Sequence, residues 1–228
     1  MKANYKILAF AVFVGLSVGL FWFENFSKNN VAVAPTTNQA GQVNVSLPVV
    51  NQNAISGQNT NDFQPPLDRA GERVTKKPFG IFITPQNSPV QPEKFSGYHT
   101  GTDFEIFPAE LNATVAVRAV CAGKLAVKKY ATGYGGVAVE SCNLNGQPMT
   151  VVYGHLRLAS IILSAGANLK VGDIIGALGN AYSSETSGER KHLHLGFHKG
   201  TNVNILGYVQ SKNELSSWLD PCLSVCYD

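Results

Sequence analysis

From Lys77 onward the apolar residues of this chain fall into short runs, each closed by glycine, proline or asparagine: GIFIT, ATVAVRAV, GKLAVKKY, GGVAVES, MTVVYGHL and HLHLGFH. Within these runs β-branched residues alternate with polar ones or form brief apolar blocks, and neither pattern sustains the period of an amphipathic helix. With 22 Gly and 11 Pro in 228 residues, turn residues are available between all of them. ANLKVGDIIGALGN reads as tight turns around short strands, with Asp173 serving the turn, and only ELSSWL near the end suggests a short helical turn. The expected fold is mainly β, with antiparallel sheets and no internal repeat of fixed period.

The N-terminal part has a different character. Lys2 and Lys6 precede an uncharged apolar run at 7–23, and Phe21-Trp22-Phe23 closes it. A membrane span needs about 17 apolar residues or more. Lysines ahead of the run favour an N-terminus inside and the bulk of the chain outside. The expected division is a signal anchor or transmembrane helix at 1–24, a flexible linker at 25–76 and a folded domain at 77–228, with a single pass through the cell membrane and an extracytoplasmic domain. A cleaved signal peptide is the alternative, with Ala32-Val33-Ala34 imitating a cleavage site, and would make the protein secreted. Pro35 directly after that site speaks against cleavage. The linker is rich in Asn, Gln, Ser, Thr and Pro and has too little apolar surface to offset ordering entropy.

Charged residues make up 14% of the chain, and its net charge of +3 comes without a Lys/Arg cluster, so no nucleic-acid partner is expected. The four cysteines suit an oxidising compartment, and none lies in a C-x-x-C pair, which argues against a thiolate zinc site. If GKLAVKKY and GGVAVES pair as a hairpin around Ala131-Thr132, Cys121 and Cys142 face one another across it, at a distance a disulfide accepts. Cys222 and Cys226 are then left to pair with each other.

Five histidines occur, and their company matters more than their number. His99-Thr-Gly-Thr-Asp103 puts an imidazole and a carboxylate four residues apart around a glycine. His192-Leu193-His194 puts two imidazoles on one face of a strand, and Tyr153-Gly154-His155 ends another. Two His and one Asp around zinc leave a fourth position for water, the arrangement of a catalytic centre.

Taken together and in this order, these motifs resemble the M23 zinc metallopeptidases, the lysostaphin-like or LytM-like endopeptidases. H-x-G-x-D appears at His99 to Asp103, the Y-G element at Tyr134-Gly135, Y-x-H-L at Tyr153 to Leu156 and H-L-H at His192 to His194. A glycine-studded stretch, Val171-Gly172-Asp173-Ile-Ile-Gly176-Ala-Leu-Gly179, lies between the last two. The resemblance spans residues 97–197. It implies a compact domain of duplicated hybrid motif type, with one Zn2+ per chain held by His99, Asp103 and His194. His155 and His192 are then an unmetallated pair that handles protons and the developing oxyanion, without saying which is the general base. It also implies a substrate, the peptide cross-links of peptidoglycan, cut during wall remodelling or lysis. A non-catalytic wall-binding or hydrolase-activating module is the alternative. The chain departs from the family at Gly188-Glu189-Arg190-Lys191, where a small turn is usual; these charges read as solvated. His198 reads as a strand-end surface histidine, and Tyr98 and Tyr134 as aromatics that line the cleft or pack on a sheet.

Overall fold

A computed structural model describes residues 63–227. The described chain opens with one helical turn, α1 (Ala70–Arg73), followed by β1 (Phe82–Ile83), β2 (Gly97–His99), β3 (Gly101–Glu105) and β4 (Ala116–Arg118). Three longer strands form a meander: β5 (Gly123–Ala131), β6 (Gly135–Leu144) and β7 (Gln147–Leu156). After them come β8 (Asn168–Leu169), β9 (Ile174–Ala177), β10 (His192–Lys199) and β11 (Tyr208–Val209). The chain closes with α2 (Lys212–Leu215), β12 (Trp218–Leu219) and α3 (Cys222–Val225). The mainly antiparallel β architecture read from the sequence is what forms.

Among the described residues the principal sheet has seven strands in the order β12-β10-β7-β6-β5-β8, with β3 also on β10. β10 is its pivot. One edge pairs with β7, while the other takes β3 along its first half and β12 at its end. Alternation along β10 explains the placing: Leu193, Leu195 and Phe197 are fully buried in the core, so His192 and His194 point to the opposite face. Val151, Tyr153, Phe104 and Leu125 join the same core.

One expectation lies outside the described residues, and two need adjusting. The anchor at 7–23 lies outside the described residues, and no helix among the described residues is long and apolar enough to cross a membrane. Of the linker at 25–76, the part from residue 63 on packs into the domain. Leu67 and Ala70 are buried in the core, and Arg73 pairs with Glu110 through two bonds of 2.7 and 2.8 Å. Gly71 lies so close to α3 that a Cβ there would sit 2.6 Å from the Cys226 carbonyl. The stretch lacks periodicity because it contributes single anchoring residues and not a face.

The third concerns the β5–β6 hairpin, which turns around Thr132-Gly133-Tyr134 with Ala131 opposite Gly135, not around Ala131-Thr132, and carries a bulge between Leu125 and Val127. Cys121 lies ahead of β5. The Cys121–Cys142 disulfide forms all the same, with Cα atoms 6.3 Å apart, and Cys222 pairs with Cys226.

Candidate metal centre and cleft

The opposed face of β10 carries the chemistry. His194 lies directly across from Asp103 on β3, and His192 across from Glu105. His99 reaches the same point from the end of β2. Glycine between His99 and Asp103 is a steric necessity, since a Cβ at Gly101 would sit 2.3 Å from the Leu195 carbonyl and 2.8 Å from His194 Nε2.

The result is a near-equilateral triangle of donor atoms. His99 Nε2 lies 3.0 Å from His194 Nδ1, and Asp103 Oδ1 lies 3.2 Å from each. All three residues are buried. His99 Nδ1 is 3.2 Å from the Pro78 carbonyl; donating its proton there leaves the Nε2 lone pair facing the triangle. At neutral charge at most one proton, on His194 Nδ1, then serves two acceptors, His99 Nε2 and Asp103 Oδ1, and His194 Nε2 is buried without a partner. Donors at about 2.0–2.1 Å from a tetrahedral zinc stand about 3.3 Å apart. The residues present therefore fit a small four-coordinate cation, and these three could hold it.

Charge reinforces the arrangement. Burial alone would raise the pKa of Asp103, but His192, His99 and hydrogen bonds outweigh it and hold the carboxyl well below its usual range. Burial pushes the His194 imidazole down to about 4 despite its hydrogen bond to Asp103.

Beside the triangle lie two more histidines, His155 and His192, with ring centroids 4.2 Å apart. His192 Nδ1 donates to the Arg190 carbonyl at 2.9 Å, which turns Nε2 toward Asp103 Oδ2, 3.4 Å away. His155 Nδ1 is 3.3 Å from the Thr186 carbonyl, leaving its Nε2 without a proton. Burial first, and His192 second, hold its pKa well below the usual range. His155 also has φ of 62°, a left-handed conformation that costs a non-glycine residue of order 1–3 kcal/mol and is tolerated where the surroundings fix it.

The five residues open into one cleft of about 410 Å³. Its far wall is apolar: Phe95 stacks on Tyr208 at 5.5 Å, with Ile205 and Leu206 beyond. Lys77, buried against Glu93, donates to the Tyr208 hydroxyl at 3.1 Å. Tyr134 lines the floor between His155 and His194, its hydroxyl buried without a partner. Tyr98 instead packs edge-on against Phe82, and His198 against Trp218.

Of Glu189, Arg190 and Lys191, expected to be solvated, the last two are buried. Arg190 and Lys191 are 8% and 3% exposed. Arg190 donates to Asp103 Oδ2 at 2.8 Å and grips Glu105. Burial opposes its charge, and the two carboxylates more than offset that, raising its pKa. The only signal in the sequence was the departure from the usual small turn.

The model of peptidase family M23 matches residues 97–205, a span that holds all five of these residues. The catalytic domain of the antimicrobial peptidase lysostaphin from Staphylococcus simulans is similar in structure, at 21% identity over 67% of this chain and 92% of that one, with a TM-score of 0.45. CbpA from L. salivarius REN is similar at 24% identity, 72% and 95% coverage and a TM-score of 0.47. LytU is similar at 25% identity, 65% and 81% coverage and a TM-score of 0.44. No curated protein matches the chain.

Proposed function

We propose that this protein, whose residues 97–205 belong to peptidase family M23, is a zinc endopeptidase that hydrolyses peptide bonds in peptidoglycan cross-links. The observation that carries the reading is the donor triangle of His99, Asp103 and His194 set beside a second, unshared pair of histidines in one cleft. A binding module has no use for that second pair.

Zinc held by the triangle supplies Lewis acidity toward water and the scissile carbonyl. The remaining chemistry belongs to the chain. His155, held neutral by burial with its Nε2 unprotonated, accepts a proton from the attacking water. His192, fixed through Nδ1 by the Arg190 carbonyl, can carry a proton on Nε2 for the oxyanion or the departing amine. The apolar wall of Phe95, Tyr208, Ile205 and Leu206 seats the extended peptide and excludes water from the reacting bond.

The wall substrate rests on the family resemblance. So does placement outside the membrane, which the run at 7–23 and the two disulfides support. Incubating the full chain with purified peptidoglycan and sequencing the released fragments by mass spectrometry tests the reading. New amino termini within cross-links are expected; unaltered peptides, or cleavage confined to the glycan, would refute it.

A further inference from the structure

Two interior cations precede β10, and they serve different ends. Lys191 Nζ donates to the carbonyls of Glu110, Leu111 and Ala113 at 2.9, 3.3 and 2.6 Å, tying the strand's start to a loop remote from the cleft. Arg190 turns the other way. Its Nη2 donates to Asp103 Oδ2 at 2.8 Å, and its Nε lies 2.9 and 3.0 Å from the two oxygens of Glu105. Its backbone carbonyl takes the Nδ1 proton of His192. One residue thus holds the spare oxygen of a triangle carboxylate and orients the neighbouring histidine.

A buried guanidinium is tolerated only when paired and hydrogen-bonded, and a planar fork grips carboxylates in a way an ammonium does not. Glu105 satisfies one side of that fork and is itself approached by Lys76 at 3.4 Å. Glu105 is therefore the strut that aims Arg190 at Asp103. A free carboxylate can chelate through both oxygens, which suits larger ions that take more ligands. With Oδ2 engaged by Arg190, Asp103 offers the triangle Oδ1 alone.

We propose that Arg190 is a positioning residue that locks Asp103 into presenting a single oxygen, and so matches the centre to a small four-coordinate ion. The inference rests on the zinc reading of the site. Outer partners of metal ligands typically contribute about 10–100-fold to metal affinity.

The test uses the full-length protein and its variants Arg190→Gln, Arg190→Lys and Lys191→Met. Zinc affinity is measured by competition with a chromophoric chelator, and the cobalt-substituted proteins are compared by visible absorption, which is intense for four-coordinate cobalt and weak at higher coordination. Arg190→Gln should lose about 10–100-fold in zinc affinity and weaken the cobalt bands. Arg190→Lys, keeping the charge but not the fork, should fall between it and the parent. Lys191→Met, which loosens the same strand start without touching Asp103, should lower thermal stability and leave zinc affinity and cobalt bands at parental values. If Arg190→Gln does not fold, the Arg190→Lys and Lys191→Met comparison decides alone. Parental zinc affinity and cobalt bands in the Arg190 variants would overturn the inference and leave the metal reading standing, as would an equal loss in Lys191→Met. A parent that binds neither ion would overturn both.

Discussion

Glu140 is a carboxylate in the wrong place for one, and it makes the stability of the domain depend on pH in a calculable way. It lies on β6, fully buried, with Oε2 accepting from the Tyr153 hydroxyl at 2.6 Å; that hydroxyl in turn accepts from the Val120 amide at 2.9 Å. Burial pushes the carboxyl from an ordinary 4.5 up to about 7, against the hydrogen bond from Tyr153. As pH rises through 4.5, the unfolded chain gives up this proton while the folded one keeps it, so stability falls until the folded carboxyl also ionises near 7. At about 1.4 kcal/mol per pH unit, the loss approaches about 3 kcal/mol. For a domain of this size that is about 6–12 °C in Tm. Buried His155 and His194 work in the opposite sense, since their lowered pKa values make stability rise as the unfolded histidines lose their protons. The informative quantity is therefore the difference between the parent and Glu140→Gln, in which the histidine contribution cancels. The glutamine costs on the order of 1 kcal/mol at low pH, where it replaces a neutral acid imperfectly. By about pH 8 it should match or exceed the parent. Thermal unfolding of both proteins across that range measures the crossover. Parallel curves would refute the argument, because a carboxyl that ionises normally in the fold contributes no such slope.

Two further outcomes follow from the covalent and steric framework. The Cys121–Cys142 bridge spans 21 residues, so replacing both cysteines by serine should lower stability by about 3 kcal/mol; an unchanged denaturation midpoint under oxidising conditions would contradict this. Gly135 has φ of +78°, and a Cβ there would sit 1.9 Å from the Glu185 carbonyl. Gly135→Ala should therefore cost at least about 2 kcal/mol and slow turnover, by displacing the 184–186 turn whose Thr186 carbonyl holds His155. A folded variant with parental Tm and turnover would show that the turn does not depend on that close approach.

How much of this was legible in the sequence depends on whether a residue's neighbours in space are set by a simple period. Along β10 they are. Alternation alone puts His192 and His194 on one face and Leu193, Leu195 and Phe197 in the core, and the antiparallel register then delivers Asp103 opposite His194. The hairpin register was misjudged by the length of a turn and a bulge, features that depend on how Gly135 seats against Glu185 and Thr186 and Gly133 against Phe95. Arg190 and Lys191 looked solvated because charge usually is; only the fold shows that Asp103, Glu105 and a row of loop carbonyls await them. The same holds for Glu140, whose sequence neighbours say nothing of Tyr153. Residues 63–76 evaded a reading by periodicity because Leu67, Ala70 and Arg73 each dock singly.

The central claim is a division of labour, with three residues to hold zinc and two to move protons. Its most direct test measures zinc per chain and rate of wall digestion for Ala variants of the full chain at His99, Asp103, His155, His192 and His194. His99→Ala, Asp103→Ala and His194→Ala should lose the metal and the activity together. His155→Ala and His192→Ala should keep zinc and fold, yet digest about 10²–10⁴-fold more slowly. A His192→Ala protein without zinc beside a zinc-loaded His194→Ala protein would contradict the assignment of ligands, and a zinc-loaded parent that cuts nothing would contradict the account as a whole.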